Sequence, residues 1–261
     1  MHYRGTTALI TGASSGIGAE FARAFANRGA DVVLVARATD ALDAIATNIR
    51  TRTGVTVHVV SVDLSLDHSG RRLRESVDAL GVQVDTLVNC AGAGLTKPFA
   101  ESTEEEILRQ LRLNVDAVVD ISRAFLPSLI QSGRGALINV GSLTGYMPVP
   151  GMAVYAAAKA FTVRFTEAIA HELRQTKLTV MAISPGPTRT GFYSTSGTDV
   201  GGVRFQTPEQ VVDTALRAVD RRKPPVSVIS GGMNRWTSRI VALLPRRVAL
   251  RLTESKPAAT D

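Results

Sequence analysis

Thr11-Gly12-Ala13-Ser14-Ser15-Gly16-Ile17-Gly18 follows the apolar run Ala8-Leu9-Ile10 and leads into Ala19–Asn27, which carries Phe21, Ala22 and Phe25. Strand, glycine-rich turn and helix are the setting in which backbone N–H groups and a helix N-terminus receive phosphate. One glycine permits a sharp turn, one lets a pyrophosphate approach the backbone, and one lets the helix pack on the strand. Gly12, Ser14, Ser15, Gly16, Ile17 and Gly18 are therefore candidate cofactor contacts. The spacing Gly-x-x-x-Gly-x-Gly differs from the stricter Gly-x-Gly-x-x-Gly, and no Lys-Ser/Thr pair follows Gly18 to make a P-loop. By itself such a turn also fits an ordinary strand-to-helix connection.

Outward from this turn, short apolar runs alternate with helix-length segments. Strands are expected at 6–11, 31–36, 57–62, 84–89, 136–141, 178–183 and 226–230, and helices at 17–28, 39–52, 67–80, 103–130, 152–175 and 208–222. The strand runs are continuously apolar, as in strands covered on both faces. Alternation of this kind predicts an α/β fold with a doubly wound parallel sheet. Ligands of such sheets bind beyond the carboxyl ends of the strands. Gly12–Gly18, Asn89–Gly92, Ser142 and Pro185–Thr190 all follow expected strand ends and converge on one crevice.

Tyr155 and Lys159 stand four apart in Tyr-Ala-Ala-Ala-Lys, and Ser142 precedes them. Residues at that spacing share a helix face, so the ammonium is expected beside the phenol. A nearby cation favours phenolate and lowers the tyrosine pKa from its usual ~10. Such a tyrosine exchanges a proton with a carbonyl or alcohol oxygen, and Ser142 can hold the same oxygen. Chance also places Tyr-x-x-x-Lys in many helices, with the lysine snorkelling past a core-edge ring.

With Asp63-Leu64, Asn89-Cys90-Ala91-Gly92, Asn114 and Pro185-Gly186-Pro187-Thr188-Arg189-Thr190 in the same order, the chain resembles the short-chain dehydrogenase/reductase family over roughly residues 5 to 230. Cys90 departs from the second asparagine more usual there. The resemblance implies a single Rossmann-like sheet of about seven strands with helices on both faces. It implies catalytic roles for Asn114 (a proton relay), Ser142, Tyr155 and Lys159, with Lys159 also holding the nicotinamide ribose. It further implies dinucleotide contacts from Asp63, Leu64, Asn89, Ala91, Gly92, Tyr155, Lys159, Pro185, Gly186, Thr188 and Thr190. A homodimer or homotetramer is implied as well. Helices 103–130 and 152–175 supply candidate apolar surface through Ile107, Leu111, Val115, Val118, Phe125, Phe161, Phe165 and Ile169.

The second strand ends Val35-Ala36-Arg37, without the carboxylate that would mark NAD. Arg37 can pair with a 2′-phosphate instead, so NADPH/NADP+ is expected over NADH/NAD+. Candidate substrate contacts are Ser142, Leu143, Met147, Met152 and Phe192, with Leu95, Val149 and Tyr193 as further walls. They carry no carboxylate or arginine, which suits an apolar ketone, keto-lipid, steroid-like or polyketide-type carbonyl or its alcohol. Two rivals are a catalytically silent dinucleotide-binding redox sensor and an S-adenosylmethionine methyltransferase. The intact Ser142, Tyr155 and Lys159 argue against the first, and the loop spacing argues against the second.

The net charge is +7, yet only five of the 30 basic residues are lysines and no nucleic-acid-binding motif accompanies them. No nucleic-acid partner is expected. One cysteine and four scattered histidines offer neither a disulfide nor metal-site spacing. No apolar run reaches the ~20 residues of a membrane span, and the first strand begins too early for a signal peptide, so a cytoplasmic protein is expected.

The expected division is a dinucleotide-binding catalytic domain over 1–232, an amphipathic basic helical segment over 233–253 and a flexible tail over 254–261. In the second part, Trp236, Ile240, Leu243 and Leu244 form one stripe and Arg235, Arg239, Arg246, Arg247 and Arg251 the basic remainder. Docking of that stripe on the domain or a partner subunit is favoured over peripheral contact with an anionic membrane.

Overall fold

Each of the seven apolar runs folds as a strand: β1 (Thr7–Thr11), β2 (Asp31–Ala36), β3 (Val57–Ser61), β4 (Thr86–Asn89), β5 (Ala136–Val140), β6 (Thr179–Ser184) and β7 (Ser227–Ile229). In the computed structural model, which describes residues 1–199, 201–202 and 204–257, all seven pair in parallel in the order β3-β2-β1-β4-β5-β6-β7. The order reverses direction between β1 and β4. A crevice opens there above the carboxyl ends.

Period-two alternation along each strand divides the core into two layers. On one face Ala8, Ile10, Val32, Leu34, Val88, Ile138 and Met181 pack under α1 (Gly16–Asn27), α2 (Thr39–Thr53) and α8 (Pro208–Val219). On the other, Leu9, Val33, Leu87, Leu137 and Val180 meet α3 (Ser69–Asp78) and α5 (Ala117–Ser132) through Leu73, Ile121, Phe125 and Leu129. The long α6 (Ala153–Glu172) packs beside β5 and β6. Helix starts follow local chemistry. Thr103 and Glu106 form a reciprocal capping box at α4 (Glu104–Leu111), and Thr207 with Gln210 does the same at α8, where Pro208 occupies the first turn.

The single helix expected over 103–130 is interrupted. Between α4 and α5 the backbone takes a π-helical turn over Arg112–Asp116, centred on Asn114. Of the apolar residues expected on an oligomer surface, Val118 and Phe125 belong to the core. Leu111 and Phe161 are exposed, and the Phe161 and Phe165 rings stack 5.8 Å apart. The segment 191–206 contains a short α7 (Phe192–Ser196).

The C-terminal segment forms α9 (Gly232–Leu243) and α10 (Arg246–Leu252), broken at Pro245. The expected docking face is corrected. Ser238, Val241 and Ala249 are the buried residues, whereas Trp236, Ile240 and Leu243 are exposed and, of the expected stripe, only Leu244 is half-buried. The tail is corrected as well up to Pro257. The Ser255 N–H donates to Pro150 O at 2.9 Å, the Asp199 N–H donates to Lys256 O at 2.9 Å, and Pro257 bridges to Thr198. Positions 258–261 lie outside the described residues. Among the described residues no helix is long and apolar enough to cross a membrane.

Candidate active site

The first turn of α1 leaves the N–H groups of Gly16, Ile17 and Gly18 without intrahelical acceptors, because the first helical bond runs from the Ala19 N–H to Ser15 O at 3.1 Å. A Cβ on Gly18 would lie 2.2 Å from Gly12 O, and one on Gly12 would lie 2.9 Å from the Ala91 backbone. Gly18 therefore lets the helix sit against the turn, and Gly12, at φ +67°, lets β1 approach the end of β4. The Thr11 hydroxyl accepts the Cys90 and Ala91 N–H groups at 3.0 and 3.1 Å and ties the two strand ends together. Sequence reasoning passed over Thr11.

These elements floor one continuous cleft of about 1660 Å³. A drug-sized ligand needs roughly 300–1,000 Å³, so the space suits a dinucleotide together with a second molecule. Gly12, Ser14, Ser15, Gly16, Ile17, Gly18, Arg37, Asp63, Leu64, Ala91, Gly92, Pro185, Gly186, Thr188 and Thr190 all line it. So do Ser142, Leu143, Met147, Met152, Tyr155, Lys159 and Phe192.

Asn89 does not line the cleft. Its amide donates to Ser122 Oγ at 3.0 Å and Asn139 Oδ1 at 2.9 Å, inside the sheet layer facing α5. The expected cofactor contact is thus a buried cross-link between β4, β5 and α5, because alternation turns the side chain at 89 away from the cleft.

At one end of the cleft Arg37 is exposed at the tip of β2. Burial pushes the Asp63 carboxyl up, but hydrogen bonds from Ser65 and the charges of Arg37 and Arg109 outweigh it and hold it below the usual value. Arg109, on α4, is a further cleft residue, and no motif marks it.

At the other end α6 carries Tyr155 and Lys159, both buried and one turn apart. The Lys159 Nζ sits 5.7 Å from the centre of the Tyr155 ring and donates to Val140 O at 3.0 Å. The expected lowering of the tyrosine pKa is not met. Burial pushes the Tyr155 phenol well above its ordinary value, the neighbouring Ser142 hydroxyl opposing only in part. Burial also lowers Lys159 to about 8, so at neutral pH it is still a cation, yet it does not offset the burial of the phenol. At neutral pH Tyr155 accordingly keeps its phenolic proton. Cys90 is held as a thiol, burial raising it to about 12.

Asn114 is fully buried and donates to Ala93 O at 2.7 Å and Gln110 O at 2.9 Å, while its Oδ1 has no partner. A Cβ on Gly92 would lie 2.8 Å from that oxygen and 3.2 Å from Lys159 Nζ. The bare glycine thus leaves a polar gap between Asn114 and Lys159, of the kind a hydrogen-bonding guest occupies. The π-helical turn at Asn114 releases local backbone from the regular ladder, a distortion frequent at functional sites.

The remaining walls are mostly apolar. Val149, Met152, Tyr155 and Ala156 cluster with Met147 and Phe192, and the Tyr155 and Phe192 rings lie 5.2 Å apart. The Leu143 N–H donates to Pro185 O at 2.8 Å, joining the Ser142 turn to the Pro185 loop. Leu95 and Tyr193 line the cleft as expected, and Ile240, Val241, Leu244 and Leu252 add an unexpected wall from α9 and α10. The expectation of a charge-free substrate end is corrected too, since Asp199, Glu254 and Lys256 line the cleft where the C-terminal strap crosses it. Gly186 packs against Asn234, which donates to Ser230 O at 2.8 Å and Gln206 Oε1 at 3.2 Å. Asn234 and Gln206 thereby couple α9 to the Pro185 loop, a link invisible to motif reading. Among the described residues no cluster of His, Cys, Asp or Glu could hold a metal ion.

Residues 6–200 match the short chain dehydrogenase family model. A mouse (Mus musculus) very-long-chain 3-oxoacyl-CoA reductase is 30% identical over 185 residues, which cover 69% of this chain and 59% of the mouse protein's length. A short-chain dehydrogenase from Sphingobium yanoikuyae, solved in complex with NADPH, is 35% identical with a TM-score of 0.81, covering 98% of this chain and 99% of that one. A bulky-bulky ketone specific alcohol dehydrogenase from Comamonas testosteroni is 31% identical with a TM-score of 0.76, covering 91% of each chain.

Proposed function

The chain belongs to the short-chain dehydrogenase/reductase family, and on that premise we propose that it is an NADPH-dependent oxidoreductase that interconverts a carbonyl and a secondary alcohol on a medium or large apolar substrate. The observation that carries the reading is the single cleft joining the glycine turn and Arg37 at one end to Ser142, Tyr155 and Lys159 within mostly apolar walls at the other. The glycine-bared surfaces and the partnerless Asn114 Oδ1 fit a bound dinucleotide. When bound, the nicotinamide supplies or accepts a hydride.

The other roles fall to this chain. The free N–H groups at the start of α1 hold pyrophosphate. Arg37 pairs with the 2′-phosphate, and Asp63, Leu64, Ala91 and Gly92 line the adenosine side. Pro185, Gly186, Thr188 and Thr190 flank the nicotinamide. Ser142 donates a hydrogen bond to the substrate oxygen. Tyr155 delivers its proton to that oxygen as the C–O bond becomes single; in the reverse direction its phenolate takes the alcohol proton. Lys159 holds ribose hydroxyls and, with Asn114, refills the proton. Leu143, Met147, Met152 and Phe192 enclose the apolar body and exclude water. The NADPH complex of the Sphingobium protein and the bulky ketone specificity of the Comamonas protein support the cofactor and the substrate class.

A homo-oligomer, as a dimer or tetramer, is part of the proposal, with the exposed Leu111 and Phe161 as contributing surface. Tyr155→Phe tests the mechanism. Turnover of apolar ketones is expected to vanish while NADPH binding, read by fluorescence titration, stays near wild type. Retained turnover would remove Tyr155 as proton donor.

A further inference from the structure

From Gly232 to Leu252 the chain contains five arginines and neither aspartate nor glutamate. Among the described residues none of Arg235, Arg239, Arg246, Arg247 and Arg251 forms an ion pair. Alongside these charges, Met233 is 78% exposed, Trp236 64% and Leu243 87%. On a 3.6-residue helix Met233, Trp236, Ile240 and Leu243 fall on one stripe, opposite the buried Ser238 and Val241. Ile240 and Leu252 line the cleft and are themselves 53% and 68% exposed, so apolar surface from both helices meets at the cleft rim. A folded domain has no internal use for this arrangement, and apolar surface of such extent marks an interaction site.

We propose that the outer face of α9 and α10 docks on an anionic phospholipid surface and turns the mouth of the cleft toward the bilayer. Charge decides against a second copy of this chain. A two-fold contact through this face would oppose arginines to arginines, whereas lipid phosphates neutralise them. Trp236 and Leu243 enter the acyl boundary while the arginine stems lie along it with their heads among the phosphates. Each arginine near an anionic surface contributes about fivefold to binding. Docking does not depend on the carbonyl chemistry, and its failure leaves the functional reading standing.

The test uses the full chain with vesicles of phosphatidylcholine, alone or with about a quarter phosphatidylglycerol. Trp236 is the only tryptophan, so its emission reports on this face directly. Expected are co-sedimentation with anionic vesicles at least ~10-fold above neutral ones, a blue shift of emission, and quenching by brominated lipid. Trp236→Ser with Leu243→Ser should abolish binding, and Arg246→Gln, Arg247→Gln and Arg251→Gln together should weaken it by ~100-fold. None of these five residues lines the cleft, so reduction of a water-soluble ketone by NADPH should persist in both variants as proof of folding. Absence of binding to anionic vesicles overturns the proposal. So does binding with unshifted tryptophan emission, or with full strength in the variants. A serine variant that only turns an oligomer into a monomer in light scattering would assign the face to a second copy and overturn it equally.

Discussion

Replacing Lys159 by methionine should stabilise the cofactor-free protein at neutral pH, and the gain should shrink as pH rises. Burial lowers Lys159 from 10.5 to about 8. Below the folded value both states hold the proton, and the folded state bears the full cost of a desolvated ammonium. Between the two values only the unfolded state holds it, so stability rises with pH there. The full cost is ~3 kcal/mol at about 1.4 kcal/mol per pH unit. Against it stands the bond from Nζ to Val140 O at 3.0 Å, which methionine cannot make. A charged hydrogen bond contributes ~1.5–3 kcal/mol, so the net gain near pH 7 is on the order of 1 kcal/mol. The change with pH is the sharper quantity. From about pH 7 to pH 9 the methionine variant's advantage should fall by ~1.4 kcal/mol. Tyr155 has its folded value raised, so its opposite effect begins only above the unfolded value of ~10 and leaves this window clear. Urea denaturation of both proteins at the two pH values measures the difference. A pH-independent difference would show that the ammonium is not desolvated as described.

Arg37→Ala should reduce the preference for NADPH over NADH by about ten- to hundredfold, read as the ratio of kcat/KM values; an unchanged ratio would mean that the 2′-phosphate is held elsewhere. Gly92→Ala places a methyl 2.8 Å from Asn114 Oδ1 and 3.2 Å from Lys159 Nζ. Turnover should drop by ~100-fold through that displacement, with a circular dichroism spectrum like wild type; wild-type turnover would mean that the gap has no role. Phe125→Ala empties a fully buried site between α5 and the sheet and should cost ~3–5 kcal/mol in urea denaturation; a loss under ~1 kcal/mol would show that the layer collapses around the cavity.

The strands and the cleft were legible because both rest on local signals. Continuous apolar runs announce strands covered on two faces, and glycines mark where backbone meets backbone, as at Gly12 and Gly18. Asn89 shows where such reading stops. A motif names a residue without saying which side of the sheet it faces, and pairing with Ser122 and Asn139 is decided by three elements distant in sequence. The tyrosine pKa went astray for a related reason. Helical spacing correctly set Lys159 beside Tyr155, but the sign of the shift depends on burial, which only the assembled cleft reveals.

The C-terminal helices carry the same lesson in packing. Periodicity over 234–252 shows that a helix has an apolar side, but not whether protein or something else faces it. The large side chains drew the docking assignment, yet the docked side is built from Ser238, Val241 and Ala249, with Asn234 against Gly186. A Cβ at Gly186 would lie 2.1 Å from Asn234 Nδ2, so this seat depends on small residues at close approach. Close approach leaves almost no trace in a hydropathy pattern, because serine, alanine and glycine carry little of the signal. Once the seat is made by these residues, Trp236 and Leu243 can only point outward. Their exposure is therefore a consequence of how α9 docks, and it leaves a face that needs a partner other than this domain.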